Sequence, residues 1–218
     1  MDPIMSLRDT LEKAEVVILD VDGTLYDGAA LRKRMALELL LACALRPRRL
    51  ADLRALQLYR KERELIAEEE CCDIVRLQYE RPAALLGMPA ERLELLVEEW
   101  IHQRPLRHLA ENRVPGIRRF FDSLRSTGRT LAVYSDYPAS AKLDALDLVA
   151  DIVVCATDSD VDRLKPNPAG LHRLLTRLEA DPAVCLLIGD RQSRDGEAAR
   201  RAGVPFLRRS RHGGPEAF

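Results

Sequence analysis

Residues 16–24 read Val16-Val17-Ile18-Leu19-Asp20-Val21-Asp22-Gly23-Thr24. Four apolar residues in a row, three of them β-branched, suit a strand buried on both faces. Strands of that kind belong to parallel sheets covered by helices. The run ends in two aspartates one residue apart, followed by a glycine and a threonine. In open parallel sheets the functional groups gather beyond the carboxyl ends of the strands, so polar residues at this position are candidates for chemistry.

The sequence on either side fits that reading. After Val114-Pro115-Gly116 the pattern predicts helix 117–126, strand 130–135, helix 138–146, strand 151–155, helix 168–179, strand 184–189, helix 195–202 and strand 204–207. Helices alternating with strands at these spacings imply one parallel sheet with right-handed crossovers. Residues 27–112 are different in kind: they hold two of the chain's eleven glycines and no strand-like alternation. Leu93, Leu96, Val97, Trp100 and Ile101 mark one helix face, and Leu50, Leu53 and Leu56 or Tyr59 mark another. Breaks are expected at Arg46-Pro47, Arg81-Pro82 and Gly87-Met88-Pro89. The segment therefore reads as about four helices inserted into an α/β core. Residues 1–26 and 113–218 form that core, and 27–112 the insertion. A short N-terminal helix is expected from Ser6 to Lys13, with Ser6 as its N-cap.

Composition narrows the class. With 34 basic and 35 acidic residues the net charge is -1, which gives no long-range pull towards nucleic acid or an anionic membrane. Five cysteines (Cys43, Cys71, Cys72, Cys155, Cys185) show no ligand spacing, in a chain long enough to need no staples. A reducing compartment is expected. The first fifteen residues lack the apolar stretch of a signal peptide, and no apolar run approaches the ~20 residues of a membrane span. A cytoplasmic protein is the default expectation, and oligomeric state is left unassigned.

Polar residues recur at the other strand ends. Ser135-Asp136 follows the second strand, Lys165-Pro166-Asn167-Pro168 lies in the loop after the third, and Gly189-Asp190 ends the fourth with Asp195 beyond it. Carboxylates converging at one sheet edge repel one another unless a cation sits among them, and oxygen-only ligands favour Mg²⁺. A hydroxyl and a lysine beside that cation suit a phosphate dianion. One carboxylate can then attack phosphorus, and its neighbour two residues on can move the proton.

As a set, Val16–Thr24, Leu131–Ser135, Lys165-Pro166 and Ile188–Asp195 resemble the haloacid dehalogenase superfamily. Within it the sequence is similar to the phosphatase branch with a helical cap after the first motif, the phosphoglycolate phosphatase-like enzymes. The resemblance implies a Rossmann-like core with strand order 5-4-1-2-3 and an inserted all-α cap. It implies Asp20 as nucleophile and Asp22 as general acid and base. Thr24, Ser135, Asp136 and Lys165 would surround the phosphate, with Lys165 also pairing with the nucleophile. Asp20, Asp190 and the Asp22 backbone carbonyl would bind Mg²⁺, with Asp195 in support. The dehalogenase branch has no aspartate at the Asp22 position, because a halide leaves without a proton. The phosphonate-cleaving branch replaces it with a lysine from the cap, where this chain has only Lys33 and Lys61.

Asp136 stands where the family often has Asn. Either it caps the helix near Pro138 and offers only its backbone N–H, the preferred reading, or it weakens activity by repelling the substrate. Tyr26, Arg46, Arg48 and Arg49 are candidate contacts to the leaving group, although solvated positions account better for each arginine taken singly, and Arg191 either offsets the charge of Asp136 or faces solvent. The expected activity is Mg²⁺-dependent hydrolysis of a small phosphorylated metabolite through an aspartyl-phosphate. The alternatives are phosphotransfer or mutase chemistry on the same fold, or a weakly active binding or regulatory protein.

Overall fold

The computed structural model describes residues 11, 13–45 and 49–209. The expected Ser6–Lys13 helix lies largely outside these residues, as do Arg46, Pro47 and Arg48. Strand β1 is Val16–Leu19, all four residues buried. It pairs in parallel with β2, Thr130–Ser135, on one side and with β4, Cys185–Gly189, on the other. Strands β3, Ile152–Cys155, and β5, Phe206–Arg208, complete a five-stranded sheet of order β3-β2-β1-β4-β5. This is the expected Rossmann-like order, with the strand carrying the first motif at the centre.

The period-two geometry of a strand divides β1 between two cores. Val17 and Leu19 join Leu131, Val133, Leu186 and Ile188 on one face. Helices α5, Ile117–Ser126, and α6, Ser140–Leu146, cover that face through Phe121, Leu124 and Leu143. Val16 and Ile18 face the other way, with Ala132, Tyr134 and Leu187. There they meet Leu171 and Leu174 of α7, Ala169–Leu178, and the alanines of α8, Glu197–Ala202. Burying such side chains is worth ~1.5–3 kcal/mol each, so exchanging one for a polar residue would disrupt a core on either face.

The helical segment comprises α1, Gly28–Leu45, α2, Leu50–Glu68, α3, Ile74–Leu86, and α4, Ala90–Val97. Helix α4 runs on through a wider turn at Glu98–Gln103 and tighter turns to Asn112. The break at Gly87-Met88-Pro89 separates α3 from α4, as expected. The break expected at Arg81-Pro82 does not occur, because Pro82 lies inside α3. Proline removes one backbone donor, but Ile74, Gln78, Pro82 and Ala83 are buried along one face of this helix, and that packing overrides the local preference. On α2 the buried stripe runs through Ala55, Leu56, Tyr59 and Ile66, while Leu50 is exposed.

The chain leaves and re-enters the α/β part through two adjacent extended segments. Tyr26 and Arg113 form an antiparallel bridge, Asp27 N–H donates to Asn112 O at 2.8 Å, and Val114 N–H donates to Leu25 O at 3.0 Å. Among the described residues no helix is long and apolar enough to cross a membrane.

Candidate active site

The ends of β1, β2 and β4 and the loop before α7 meet at one edge of the sheet. Asp20 follows β1 and is nearly buried, at 6% exposure. Its Oδ2 accepts from the Thr24 hydroxyl at 2.9 Å and its Oδ1 from Lys165 Nζ at 2.7 Å. Lys165, 1% exposed, also donates to Asp195 Oδ1 at 2.7 Å and to the Tyr134 carbonyl at 3.1 Å. The second oxygen of Asp195 accepts from the Arg191 backbone N–H at 3.0 Å.

Two glycines make this convergence possible. Gly23 has φ +96°, and a Cβ there would lie 2.3 Å from Asp190 Oδ2. A Cβ at Gly189 would lie 2.5 Å from Asp195 Cγ. Either side chain would collide with a carboxylate, and Gly23 also holds a backbone conformation that L residues rarely adopt.

Asp20, Asp190 and Asp195 place one carboxylate oxygen each within 4.8 Å of one another. Three carboxylates against one lysine leave a surplus of about two negative charges, and a glycine gives the space in front of Asp190. An all-oxygen donor set with that charge fits a hard divalent cation. The protein's own balance points the same way. Burial pushes the Asp20 carboxyl up, Lys165 opposes, and Asp195 and Asp22 add to the rise. Burial works to lower the Lys165 pKa, but Asp195 and Asp20 outweigh it and favour the ammonium form.

Asp22 faces a cavity of about 380 Å³ between the sheet edge and the helical segment. Lys142 of α6 brackets its carboxylate, with Nζ 2.6 Å from Oδ1 and 2.8 Å from Oδ2. The Tyr26 hydroxyl donates to Oδ1 as well. Burial would raise the Asp22 pKa, but Lys142 and Tyr26 outweigh it, and the carboxyl sits below its ordinary range.

Lys142 is a functional candidate that the sequence reading missed. It is 7% exposed and lies in the first turn of the helix after β2, which starts at the site edge. The available signals were its scarcity, as one of five lysines, and its place seven residues after Ser135. His102 also lines the cavity and stacks edge-on against Tyr137.

Asp136 does not cap a helix. Helix α6 begins at Ser140, its N-cap is Ala139, and no side chain caps it. The Asp136 Oδ1 instead accepts from the Lys165 backbone N–H at 3.0 Å, so its carboxylate fastens the lysine loop. Burial pushes this carboxyl up, with Lys165 opposing. Ser135 is fully buried, and its Oγ accepts from the Tyr137 N–H at 3.2 Å. Arg191 pairs with Glu64 of α2 rather than with Asp136, at 2.9 and 3.0 Å. Of the expected leaving-group contacts Tyr26 lines the cavity, Arg49 does not, and Arg46 and Arg48 lie outside the described residues.

Solved structures with this fold carry different names. A 2-haloacid dehalogenase from Pseudomonas syringae pv. Tomato DC3000 is 20% identical with TM-score 0.63, covering 92% of this chain and 88% of its own. YfnB from Bacillus subtilis, named a HAD-hydrolase and bound to magnesium, is 16% identical with TM-score 0.59, over 88% and 85%. A predicted phosphoglycolate phosphatase from Haemophilus somnus 129pt is 18% identical with TM-score 0.55, over 90% and 85%. At these identities the likeness shows the fold alone. No curated protein sequence matches significantly. The haloacid dehalogenase-like hydrolase family model matches residues 14–203, nearly the whole chain and every residue of the carboxylate–lysine cluster, so the chain belongs to the haloacid dehalogenase-like hydrolases.

Proposed function

We infer that the protein is a Mg²⁺-dependent hydrolase of small phosphomonoesters that acts through an aspartyl-phosphate at Asp20. The observation that carries this reading is the second aspartate. Asp22 faces the cavity where a leaving group would lie, with Lys142 and Tyr26 donating to it. A proton-handling cluster at that place has a use when an alkoxide leaves and none when a halide leaves, which favours phosphoester over haloacid chemistry.

Thr24 and Lys165 fix the two oxygens of Asp20 and orient the carboxylate for in-line attack. The Asp20–phosphorus bond forms as the ester P–O bond breaks, and the proton that Lys142 Nζ donates to Asp22 passes through that carboxylate to the departing oxygen. Water then attacks phosphorus, the cluster recovers its proton from that water, and phosphate leaves with Asp20 regenerated. Lys165 balances negative charge on the transferring group. A divalent cation held by Asp20, Asp190 and Asp195 supplies further charge neutralisation when bound. The helical segment, acting as a cap, closes the cavity and excludes bulk water. In this reading Asp136 acts on substrate only through the Lys165 loop.

The test is phosphate release from p-nitrophenyl phosphate with Mg²⁺, run beside halide release from 2-chloropropionate. Phosphate release that stops on chelation supports the reading. Halide release without phosphate release overturns it.

A further inference from the structure

The charged lining of the cavity separates into pairs with a remainder. Lys142 is bound to Asp22 and Arg191 to Glu64. Asp190 belongs with the carboxylate cluster, and burial lowers the pKa of His102. Arg32 of α1 and Arg60 of α2 remain. Among the described residues neither has a carboxylate partner, and both are exposed. Arg32 lies over a glycine. A Cβ at Gly28 would come within 3.1 Å of Arg32 Nη1 and 3.5 Å of the Gly23 backbone nitrogen, so this guanidinium lies close to the first-motif loop. The remaining wall is apolar, formed by Leu31, Met35, Ile101 and Leu106.

Arg32 and Arg60 thus place two guanidinium groups without a carboxylate partner on the wall of one cavity, apart from Lys165 and the carboxylate cluster. Guanidinium binds carboxylate and phosphate through the same forked donors. Resting on the phosphatase reading above, we propose that the substrate's leaving group carries its own anionic group, a carboxylate or a second phosphate, which Arg32 and Arg60 recognise. A short carbon chain against the apolar wall links that group to the phosphoester undergoing hydrolysis. The cavity of about 380 Å³ is near the lower end for ligand pockets and suits a metabolite of a few carbons.

The experiment compares glycerol 3-phosphate, 3-phosphoglycerate and glycerol 2,3-bisphosphate as substrates with Mg²⁺. These present a neutral, a carboxylate-bearing and a phosphate-bearing leaving group. At least one anionic ester should exceed the neutral one about tenfold or more in kcat/KM, mainly through KM. The better of the two identifies the second anion. Arg32→Ala and Arg60→Ala should each collapse that selectivity ratio, whereas Lys61→Ala, the next residue along α2 and outside the cavity, should keep it. Equal use of the neutral ester, or a ratio unchanged in both arginine variants, overturns the proposal. If no ester is turned over, the phosphatase reading fails, and calorimetric binding of the same three compounds decides the anion site. Tighter binding of an anionic ester that is lost in Arg32→Ala and Arg60→Ala then supports the site, and equal binding of all three overturns it.

Discussion

Two donors converge on the Asp22 carboxylate, and they determine what it can do. Lys142 spans both oxygens and Tyr26 adds a third hydrogen bond, so the side chain is fixed towards the cavity and favoured as a base. Replacing Asp22 with Asn removes the proton carrier and should lower kcat by about 10²–10⁴-fold, the usual contribution of general acid–base catalysis. Lys142→Met keeps the carboxylate and removes its cation. Since Lys142 lowers the Asp22 pKa, its loss should raise that pKa and move the acidic limb of the kcat profile to higher pH. A profile unchanged in Lys142→Met would show that the pair does not govern turnover. Asp20, Asp22, Thr24, Asp190 and Asp195 follow strand ends and Lys165 lies in the loop before α7, so parallel topology, with the resemblance of these motifs to a known family, made their meeting at one sheet edge legible in the sequence. Lys142 and the true partner of Asp136 were not. Their bonds join residues 120 and 29 positions apart, and neither local pattern nor spacing encodes those bonds.

At the scale of elements, the carboxyl end of α2 holds the helical segment against the site loops. Arg63 donates to the Asp136 carbonyl at 2.7 Å and lies 4.1 Å above the Tyr137 ring. Glu64 receives Arg191 and also Arg194 at 2.5 Å, and Arg194 in turn donates to the Lys165 carbonyl at 2.9 Å. These arginines pull the Glu64 pKa down to about 2 from 4.5. Its contribution to stability is therefore complete above pH 4.5 and is lost as pH falls towards 2. Glu64→Gln should lower Tm at pH 7, and the gap to the parent should narrow steadily between pH 4.5 and 3. A gap independent of pH would show that the ion pair contributes nothing. The half-exposed position of Glu64 keeps the effect modest. Most element boundaries could be read in advance because strand runs and glycine stops are local signals. Pro82 could not, since its place inside α3 depends on what the helix packs against.

For the whole molecule, the paired linkers at Tyr26 and Arg113 join the helical segment to the α/β part, and the apolar side chains of the two run together into one buried cluster. The cavity at the sheet edge brings together Asp22 after β1, Lys142 of α6, and Arg32 of α1 and Arg60 of α2, which have no carboxylate partner among the described residues. Cation binding to the folded form should stabilise the whole chain. Mg²⁺ at about 100 times its Kd adds ~2.7 kcal/mol, a Tm rise on the order of 5–10 °C for a chain of this size. Asp190→Asn should remove most of that rise. The same rise in parent and variant would place the cation elsewhere.

Hydrolysis by this route passes through a covalent phosphoryl group on Asp20. The most direct measurement is acid quenching during turnover with Mg²⁺, followed by borohydride reduction and peptide mass mapping. The expected result is conversion of Asp20 to homoserine in the parent protein, dependent on substrate. Phosphate release with Asp20 unmodified, or with the reduced residue at another position, would contradict it.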